Sequence, residues 1–148
     1  MKNIKTDGTI KAIYGARSDK KLSRPLLGAR IPAGFPSPAQ DYLEGSLDLN
    51  EYLVPHPAST FFVRVEGYSM IKAGIFPDDI LVVDRSLEPV SGKIVMAVYD
   101  GELTIKRLVI DSQGYWLKPE NDDYEPIFVG KEMDFVVWGV VCWVIHKV

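Results

Sequence analysis

The sequence has little of the chemistry that builds metal sites and disulfide frameworks. It contains one cysteine, Cys142, and two histidines, His56 and His146. A lone cysteine cannot form an internal disulfide, and no Cys/His cluster has the spacing of metal ligands. No metal or cofactor is therefore predicted, and a reducing compartment, the cytoplasm, is the expected location.

Long apolar stretches are also missing. The longest nearly apolar run, Phe135–Ile145, is well short of the roughly 20 residues that a membrane-spanning helix needs. The basic N-terminal residues are not followed by the continuous apolar segment of a secretory signal. We therefore expect no membrane association and no export.

Charge is distributed unevenly along the 148 residues. Residues 1–30 hold eight Lys/Arg and two acids, a net charge of +6, whereas residues 31–148 hold nine Lys/Arg and eighteen acids, a net charge of −9. An acidic body lacks the clustered cations that attract phosphates. No direct sequence-specific DNA binding is predicted, and the first 33 residues are too few for a helix-turn-helix domain.

Two segments follow from the sequence pattern. Residues 1–33 show no sustained helical or strand period and are predicted to be a flexible basic arm, either a plain solvated terminus or a contact for a polyanion. Residues 34–148 are predicted to be one globular domain. Between them, Pro32, Pro36 and Pro38 favour an extended, exposed backbone, which is either a linker or a segment that a protease cleft could accept.

The domain is predicted to be mainly β, a compact and partly closed fold. Short runs rich in β-branched and aromatic residues alternate with polar turns, and no long amphipathic helix competes with them. The pair Asp100-Gly101 predicts a tight hairpin, and residues 48–54 are expected to be an ordered connection. The predicted strands cover residues 60–65, 80–83, 94–99, 102–109, 115–117, 127–129 and 135–145.

One serine lies where a strand should turn into a short helix. The run Gly67-Tyr68-Ser69-Met70 interrupts the predicted strand that ends near Glu66, and such a bend exposes a hydroxyl and aims backbone N–H groups at the atom it attacks. Neither histidine suits the role of base: His56 lies between two prolines, and His146 lies near the last residues. Structural or surface roles are expected for both, although a Ser-His-Asp triad stays open.

Lysine can serve as a base if it is neutral. An ordinary lysine has a pKa of about 10.4, so burial in apolar surroundings would have to disfavour its charged form. In the strand after the hairpin, alternation places Lys106 on one face with Thr104 and Leu108. The alternative is a lysine that merely extends its amine to solvent.

A second serine–lysine pairing is also possible. Ser69-Met70-Ile71-Lys72 spells the Ser-x-x-Lys pattern of penicillin-binding enzymes, and helical spacing would bring Ser69 and Lys72 together. Those enzymes also carry Ser-Asp-Asn and Lys-Thr-Gly elements, and neither string occurs in this chain. The sequence therefore favours the Ser69–Lys72 pairing less than the Ser69–Lys106 pairing.

Several strings resemble the UmuD-like members of the LexA-like self-cleaving serine-lysine proteases, from about residue 34 to the C-terminus. The nucleophile turn at Ser69 and the strand Leu103-Thr104-Ile105-Lys106-Arg107-Leu108 match the family, and the two side chains are 37 residues apart (106 − 69). The most specific strings are Gly34-Phe35-Pro36-Ser37-Pro38-Ala39-Gln40-Asp41-Tyr42 and Leu47-Asp48-Leu49-Asn50.

The resemblance implies a fold of the LexA C-terminal-domain type and a set of roles. Ser69 would be the nucleophile and Lys106 the general base, the backbone N–H groups of Tyr68 and Ser69 would hold the oxyanion, and the bond between Ala33 and Gly34 would be cut. In that family, a RecA-ssDNA filament promotes cleavage, and the trimmed homodimer joins a UmuC-type polymerase subunit in SOS translesion synthesis.

Two other functions stay open on the sequence alone. The chain could be a non-catalytic, dimeric β interaction module in which Ser69 and Lys106 are structural. It could also be a repressor-like autoprotease that lacks its DNA-binding domain. Tyr68 stands where the family has an acidic residue, and the arm is longer and more basic than expected for the family.

Overall fold

The computed structural model describes residues 5–16, 23–27 and 43–148. The chain divides into two compact units. One comprises residues up to Ala16 together with His56–Val148, and the other comprises Arg17–Pro55. In the part of the chain that is described, no helix has the length and apolar character needed to cross a bilayer.

The larger unit is one curled, eight-stranded sheet, which confirms the prediction of a mainly β, partly closed fold. Neighbouring strands are antiparallel throughout. The order across the sheet is β1-β4-β5-β10-β6-β7-β8-β9. The strands are β1 (Ile10–Gly15), β4 (Thr60–Val65), β5 (Ile80–Asp84), β6 (Ile94–Tyr99), β7 (Glu102–Asp111), β8 (Gly114–Lys118), β9 (Ile127–Val129) and β10 (Phe135–Ile145).

The strands form where β-branched and aromatic residues cluster between turns. The hairpin between β6 and β7 turns at Asp100 and Gly101, both of which have positive φ angles, 50° and 78°. Left-handed backbone at both central positions is what the right-handed twist of a two-residue hairpin requires, and Asp-Gly tolerates it. The sequence prediction of this hairpin is confirmed.

Alternation along the strands separates two buried clusters. In β7, the side chains of Leu103 and Ile105 belong to the first cluster and that of Leu108 belongs to the second. Successive side chains of a strand point to opposite faces of the sheet, so β7 contributes to the core on both faces. Both clusters consist of residues no more than 8% exposed, and they fix the position of β7.

The smaller unit contains a two-stranded sheet and one short helix. Strand β2 (Ser23–Leu27) pairs antiparallel with β3 (Leu43–Asp48), and α1 (Leu49–Leu53) follows directly. The Asp48 carboxylate accepts a hydrogen bond from the Asn50 N–H at 2.9 Å and caps the helix N-terminus. The ordered connection predicted for residues 48–54 is thus the end of a strand and a helix.

Part of the N-terminal segment, which was predicted to be a flexible arm, forms regular strands. Ile10–Gly15 form β1, which pairs with β4, and Ser23–Leu27 form β2. A bulge between Ile10 and Ala12 interrupts the two-residue period of β1, so local alternation does not show that this is a strand. The cleavage site predicted at Ala33 and Gly34 lies outside the described residues, and the division at residue 33 stays a prediction.

Candidate active site

The turn that follows β4 carries Ser69. Gly67 has a φ of 76°, a left-handed conformation that glycine adopts without a steric penalty. A short 3-10 helix, Ile71–Ala73, begins two residues after Ser69. The serine is 3% exposed, so the turn delivers its hydroxyl into the protein rather than to solvent.

A neighbouring loop holds this turn by three hydrogen bonds. The Glu120 N–H donates to the Ser69 carbonyl at 2.8 Å, and the Lys72 N–H donates to the Glu120 carbonyl at 2.8 Å. The Asn121 side-chain amide donates to the Tyr68 carbonyl at 2.8 Å. Because a trans peptide is planar and its N–H points away from its C=O, fixing the Tyr68 carbonyl also fixes the direction of the Ser69 N–H.

Strand β7 supplies the lysine. Lys106 lies opposite Val95 of β6 and is 4% exposed. Val95 and Leu108, in the second buried cluster, are 0% and 1% exposed. Thr104, two residues earlier on the same face, is also buried. The lysine is therefore buried beside apolar side chains that the sheet itself positions.

The structure brings the amine of Lys106 to the hydroxyl of Ser69. Lys106 Nζ lies 3.5 Å from Ser69 Oγ, 2.8 Å from Thr104 Oγ1 and 3.1 Å from the Ile105 carbonyl oxygen. The serine contact is the longest of the three. Catalytic hydrogen bonds are often long in a site without substrate, so a base and nucleophile in this arrangement are within reach of each other.

A carboxylate also contacts the amine. Lys106 Nζ lies 2.9 Å from Asp7 Oδ2, and the Thr104 hydroxyl donates to the same oxygen at 2.5 Å. Burial acts to raise the pKa of Asp7, but the Lys106 charge and hydrogen bonds from Thr104, Thr9 and Lys106 outweigh it, so this pKa is lowered. Asp7 is therefore ionised at neutral pH, and its carboxylate lies within ion-pair distance of the Lys106 amine.

Both histidines contact aspartates on β5 or next to it. His56 Nδ1 lies 2.6 Å from Asp84 Oδ2, and His146 Nδ1 lies 2.5 Å from Asp79 Oδ1. Each aspartate is buried, and a buried carboxylate needs such a partner. These contacts agree with structural roles for the histidines and provide no Ser-His-Asp arrangement at Ser69.

The competing lysine points elsewhere. The Lys72 ammonium forms an ion pair with Asp122, and its side chain is 54% exposed. Its amine thus lies at the surface beside a carboxylate. Of the two candidate lysines, the structure places Lys106 within contact distance of the Ser69 hydroxyl.

Three contacts at this site were not assigned from the sequence. Thr104 shares the Lys106 face by alternation, so its contact could have been predicted. Asn121 lies in a polar turn, where its amide has no distinguishing pattern. Asp7 is 99 residues from Lys106 in the chain and is one of two acids in a basic segment, so no local signal identifies it.

A buried serine beside a buried lysine on a curled β-sheet is the arrangement of a serine-lysine peptidase. Peptidase S24-like is the family that matches the chain, over residues 25–142. The chain therefore belongs to the peptidase S24-like family, and the resemblance noted in the sequence is confirmed.

The chain is also similar in sequence to several curated proteins. Protein ImpA of Salmonella typhimurium is 46% identical over 129 residues, 87% of this chain and 88% of its own. Protein MucA of Escherichia coli is 45% identical over 120 residues, 80% of this chain and 82% of its own. The LexA repressor of Acidithiobacillus ferrooxidans (strain ATCC 53993 / BNL-5-31) is 39% identical over 137 residues, 90% of this chain and 66% of its own.

Proposed function

We propose that this chain is a cytoplasmic autoprotease that cuts its own backbone between Ala33 and Gly34, with Ser69 as nucleophile and Lys106 as general base. The observation that carries the proposal is the 3.5 Å contact between Lys106 Nζ and Ser69 Oγ in a site where both residues are buried. Membership of the peptidase S24-like family supports the same chemistry.

The reaction would proceed through an ester. Neutral Lys106 takes the Ser69 proton while Oγ bonds to the Ala33 carbonyl carbon, and the N–H groups of Tyr68 and Ser69 stabilise the oxyanion. The carbon–nitrogen bond then breaks, and Lys106 returns the proton to the Gly34 amine. Lys106 then takes a proton from water as the water oxygen attacks the Ser69 ester, and returns it to Ser69 Oγ as the ester bond breaks, which releases Ala33 with a free carboxyl group.

The trimmed chain would act in the SOS response. We infer a homodimer that serves as accessory subunit of an error-prone translesion polymerase, joined to a UmuC-type catalytic subunit, with cleavage promoted by a RecA-ssDNA filament. This part rests on the resemblance to UmuD-like proteins and on similarity to ImpA and MucA. It does not require the chain to recognise a DNA sequence.

One observation favours a second candidate, a non-catalytic dimeric interaction module. In the structure Lys106 is paired with Asp7, and an ammonium cannot take the serine proton. If this pair never separates, Ser69 and Lys106 would be structural residues and the chain would keep its full length. The repressor-like alternative has no comparable support.

Cleavage can be tested directly on the pure protein. We expect incubation between pH 7 and 10.5 to convert the chain to two fragments, one beginning at Gly34, and the rate to rise with pH because more of the lysine is neutral. Ser69→Ala should reduce the rate at least about 10³-fold. Intact mass and N-terminal sequence, followed over time, give the result.

The outcomes of this experiment separate the candidates. A chain that keeps its mass at every pH would refute the autoprotease, and the non-catalytic interaction module would be the remaining candidate. A Ser69-dependent product with another N-terminus would preserve the dyad and refute the Ala33–Gly34 site. Cleavage that survives Ser69→Ala would remove Ser69 from the mechanism.

The hydrogen bond from Asn121 to the nucleophile turn gives a second prediction. Asn121→Asp keeps the oxygen that accepts from the Asp123 N–H at 3.0 Å but loses the amide that holds the Tyr68 carbonyl. We expect cleavage to slow about 10-fold, less than the 10²–10³-fold typical of removing an oxyanion donor outright, because the Ser69 N–H would be misdirected rather than lost. Single-turnover rates give the measurement.

The neighbouring acid provides the control for this substitution. Asp122→Asn should leave the rate within about twofold, since Asp122 pairs with Lys72 at the surface. Thermal unfolding of both variants should stay close to that of the parent. An unchanged rate in Asn121→Asp would show that the turn holds its shape without this hydrogen bond.

A further inference from the structure

An N-terminal segment lies on an open edge of β7. Strand β8 pairs with residues 107–111 of β7, and none of the other strands in the described residues pairs with the earlier part of that edge. There the Leu103 N–H donates to the Lys5 carbonyl and the Asp7 N–H donates to the Leu103 carbonyl, both at 3.0 Å. Thr6 thereby forms a parallel bridge with Leu103, so residues 5–7 add to the sheet as a short extra strand.

The same segment is also tied to the nucleophile turn. Thr9 accepts from the Ile105 N–H through its hydroxyl at 3.1 Å, and its carbonyl accepts from the Glu66 N–H at 2.9 Å. A Cβ added at Gly67 would lie 3.2 Å from the Gly8 carbonyl oxygen. Residues 5–9 therefore contact both elements that carry the dyad, β7 and the turn before Ser69.

The contacts of Lys106 show what this docking does to the base. An ammonium has three N–H donors and no lone pair. Asp7, Thr104 and the Ile105 carbonyl lie within 3.1 Å of Nζ and use all three, while Ser69 Oγ is farther away at 3.5 Å. With its three N–H groups used in this way, a protonated lysine has no lone pair with which to accept the serine proton.

We propose that residues 5–9 form an inhibitory segment, and that Asp7 keeps the dyad silent by holding the Lys106 base in its protonated form. The proposal rests on the self-cleavage proposed above and adds its control. Departure of Asp7 would leave a buried ammonium without a counter-charge, which is unfavourable, so the neutral amine would form. An extended peptide that pairs with Leu103 would have to displace the segment as well.

The direction of the pH effect follows from the charges at the site. The Asp7–Lys106 pair is faced by three hydroxyl groups, those of Ser69, Thr104 and Thr9. The next ion pair along the segment joins Lys5 and Glu102, which are 3.2 Å apart and exposed. Because the pKa of Asp7 is lowered, the carboxylate stabilises docking of the segment fully at neutral pH. This stabilisation is lost only as pH falls through the lowered pKa. Acid would release the segment but leave the lysine protonated, so only alkaline pH or displacement activates the dyad.

Asp7→Asn tests the proposal in the full-length chain. The variant keeps the shape of the side chain and removes its charge, so we expect self-cleavage at pH 7.5 to be at least about 10-fold faster than in the parent. The difference between the two rates should narrow as pH rises, because alkaline conditions favour the neutral amine in both forms. Asp78→Asn, which removes an exposed carboxylate paired with Lys11, should change neither the rate nor its pH profile.

A second measurement reports docking without any cleavage. In a Ser69→Ala background, the amide hydrogens of residue 7 and Leu103, each compared with its unfolded-chain exchange rate, should lose at least about 10-fold protection after Asp7→Asn, while the Val65 amide, bonded to the Asp79 carbonyl, should be unchanged. Equal exchange of Asp7 and Leu103 in the two forms would overturn the docking role of Asp7.

The two readouts distinguish failure of this proposal from failure of the proposed function. Ser69-dependent cleavage that Asp7→Asn leaves unchanged or slows would overturn the inhibitory segment alone. Absence of cleavage in the parent and in Asp7→Asn at every pH would overturn the autoprotease, and inhibition with it. Faster cleavage with a flattened pH profile and faster exchange would support the inhibitory segment.

Discussion

Lys106→Met is expected to reduce self-cleavage at least about 10³-fold at every pH and to abolish its rise with pH. Removing one member of a nucleophile–base pair removes most of the chemistry because the two groups act as a unit. Methionine has a similar length and fills irregular apolar space, so it suits a side chain that lies opposite Val95 and is 4% exposed. The mass of the chain over several days gives the measurement.

The body of the protein should stay folded in this variant. Asp7 loses its ion pair, but its side chain is 24% exposed, so water can solvate the carboxylate when the N-terminal segment detaches. Replacing a buried charge with an apolar side chain is often neutral for stability. A cooperative unfolding transition near that of the parent would show that the lost cleavage is chemical.

Lys72→Met is the matched control for the same change. Lys72 is three residues from Ser69 in the chain, but its ammonium pairs with exposed Asp122, so we expect less than a twofold effect on the rate. If Lys72→Met stopped cleavage and Lys106→Met did not, the Ser-x-x-Lys pairing would be correct. Cleavage in both variants at the parental rate would exclude Lys106 and Lys72 as the base.

Docking of residues 5–9 provides a physical reason for a stable precursor. The dyad is assembled by the fold itself, because β7 and the nucleophile turn are fixed by buried clusters. In the proposed autoprotease, a preformed dyad with a tethered substrate would have a high effective concentration, so restraint would have to come from another part of the chain. An ion pair on the base restrains the chemistry without disturbing the core.

The sequence predicted the strands from residue 60 onward because their signals are local. Runs such as β4 and β10 combine β-branched and aromatic residues, and the Asp-Gly turn between β6 and β7 identifies a hairpin unaided. Strand β1 was not predicted, since a bulge breaks its alternation and its pairing partner β4 begins 45 residues after Gly15 (60 − 15). Pairing over that distance overrides weak local preference.

The candidate site likewise combines residues that the sequence identifies with one that it does not. Alternation along β7 is sufficient to place Thr104 and Lys106 on one face, and the family resemblance selected Ser69. Asp7 could not be predicted, because its partner Lys106 is 99 residues away and the edge of β7 that receives its segment is defined only by how β7 pairs with β6 and β8. Long-range geometry, rather than residue type, assigns this carboxylate to the site.

The largest stability effect is expected at Ile105, the residue between Thr104 and Lys106. Its side chain is 1% exposed in the first buried cluster, so Ile105→Ala would leave a cavity that the packed sheet can fill only in part. Such truncations cost about 2–5 kcal/mol, which for a chain of this size lowers the thermal midpoint by roughly 5–15 °C. Denaturant unfolding of the Ser69→Ala form would measure the loss without cleavage.

Ile110→Ala tests whether burial is the cause, since Ile110 lies on the same strand but is 40% exposed. Ile110→Ala should lower the free energy of unfolding by under about 1 kcal/mol, because it reduces strand propensity but removes little buried apolar surface. Equal costs at the two positions would mean that strand propensity dominates and that β7 is not anchored through Ile105. A much larger cost at Ile105 would show that burial of this side chain anchors β7, the strand that carries Lys106 as the next residue on the opposite face.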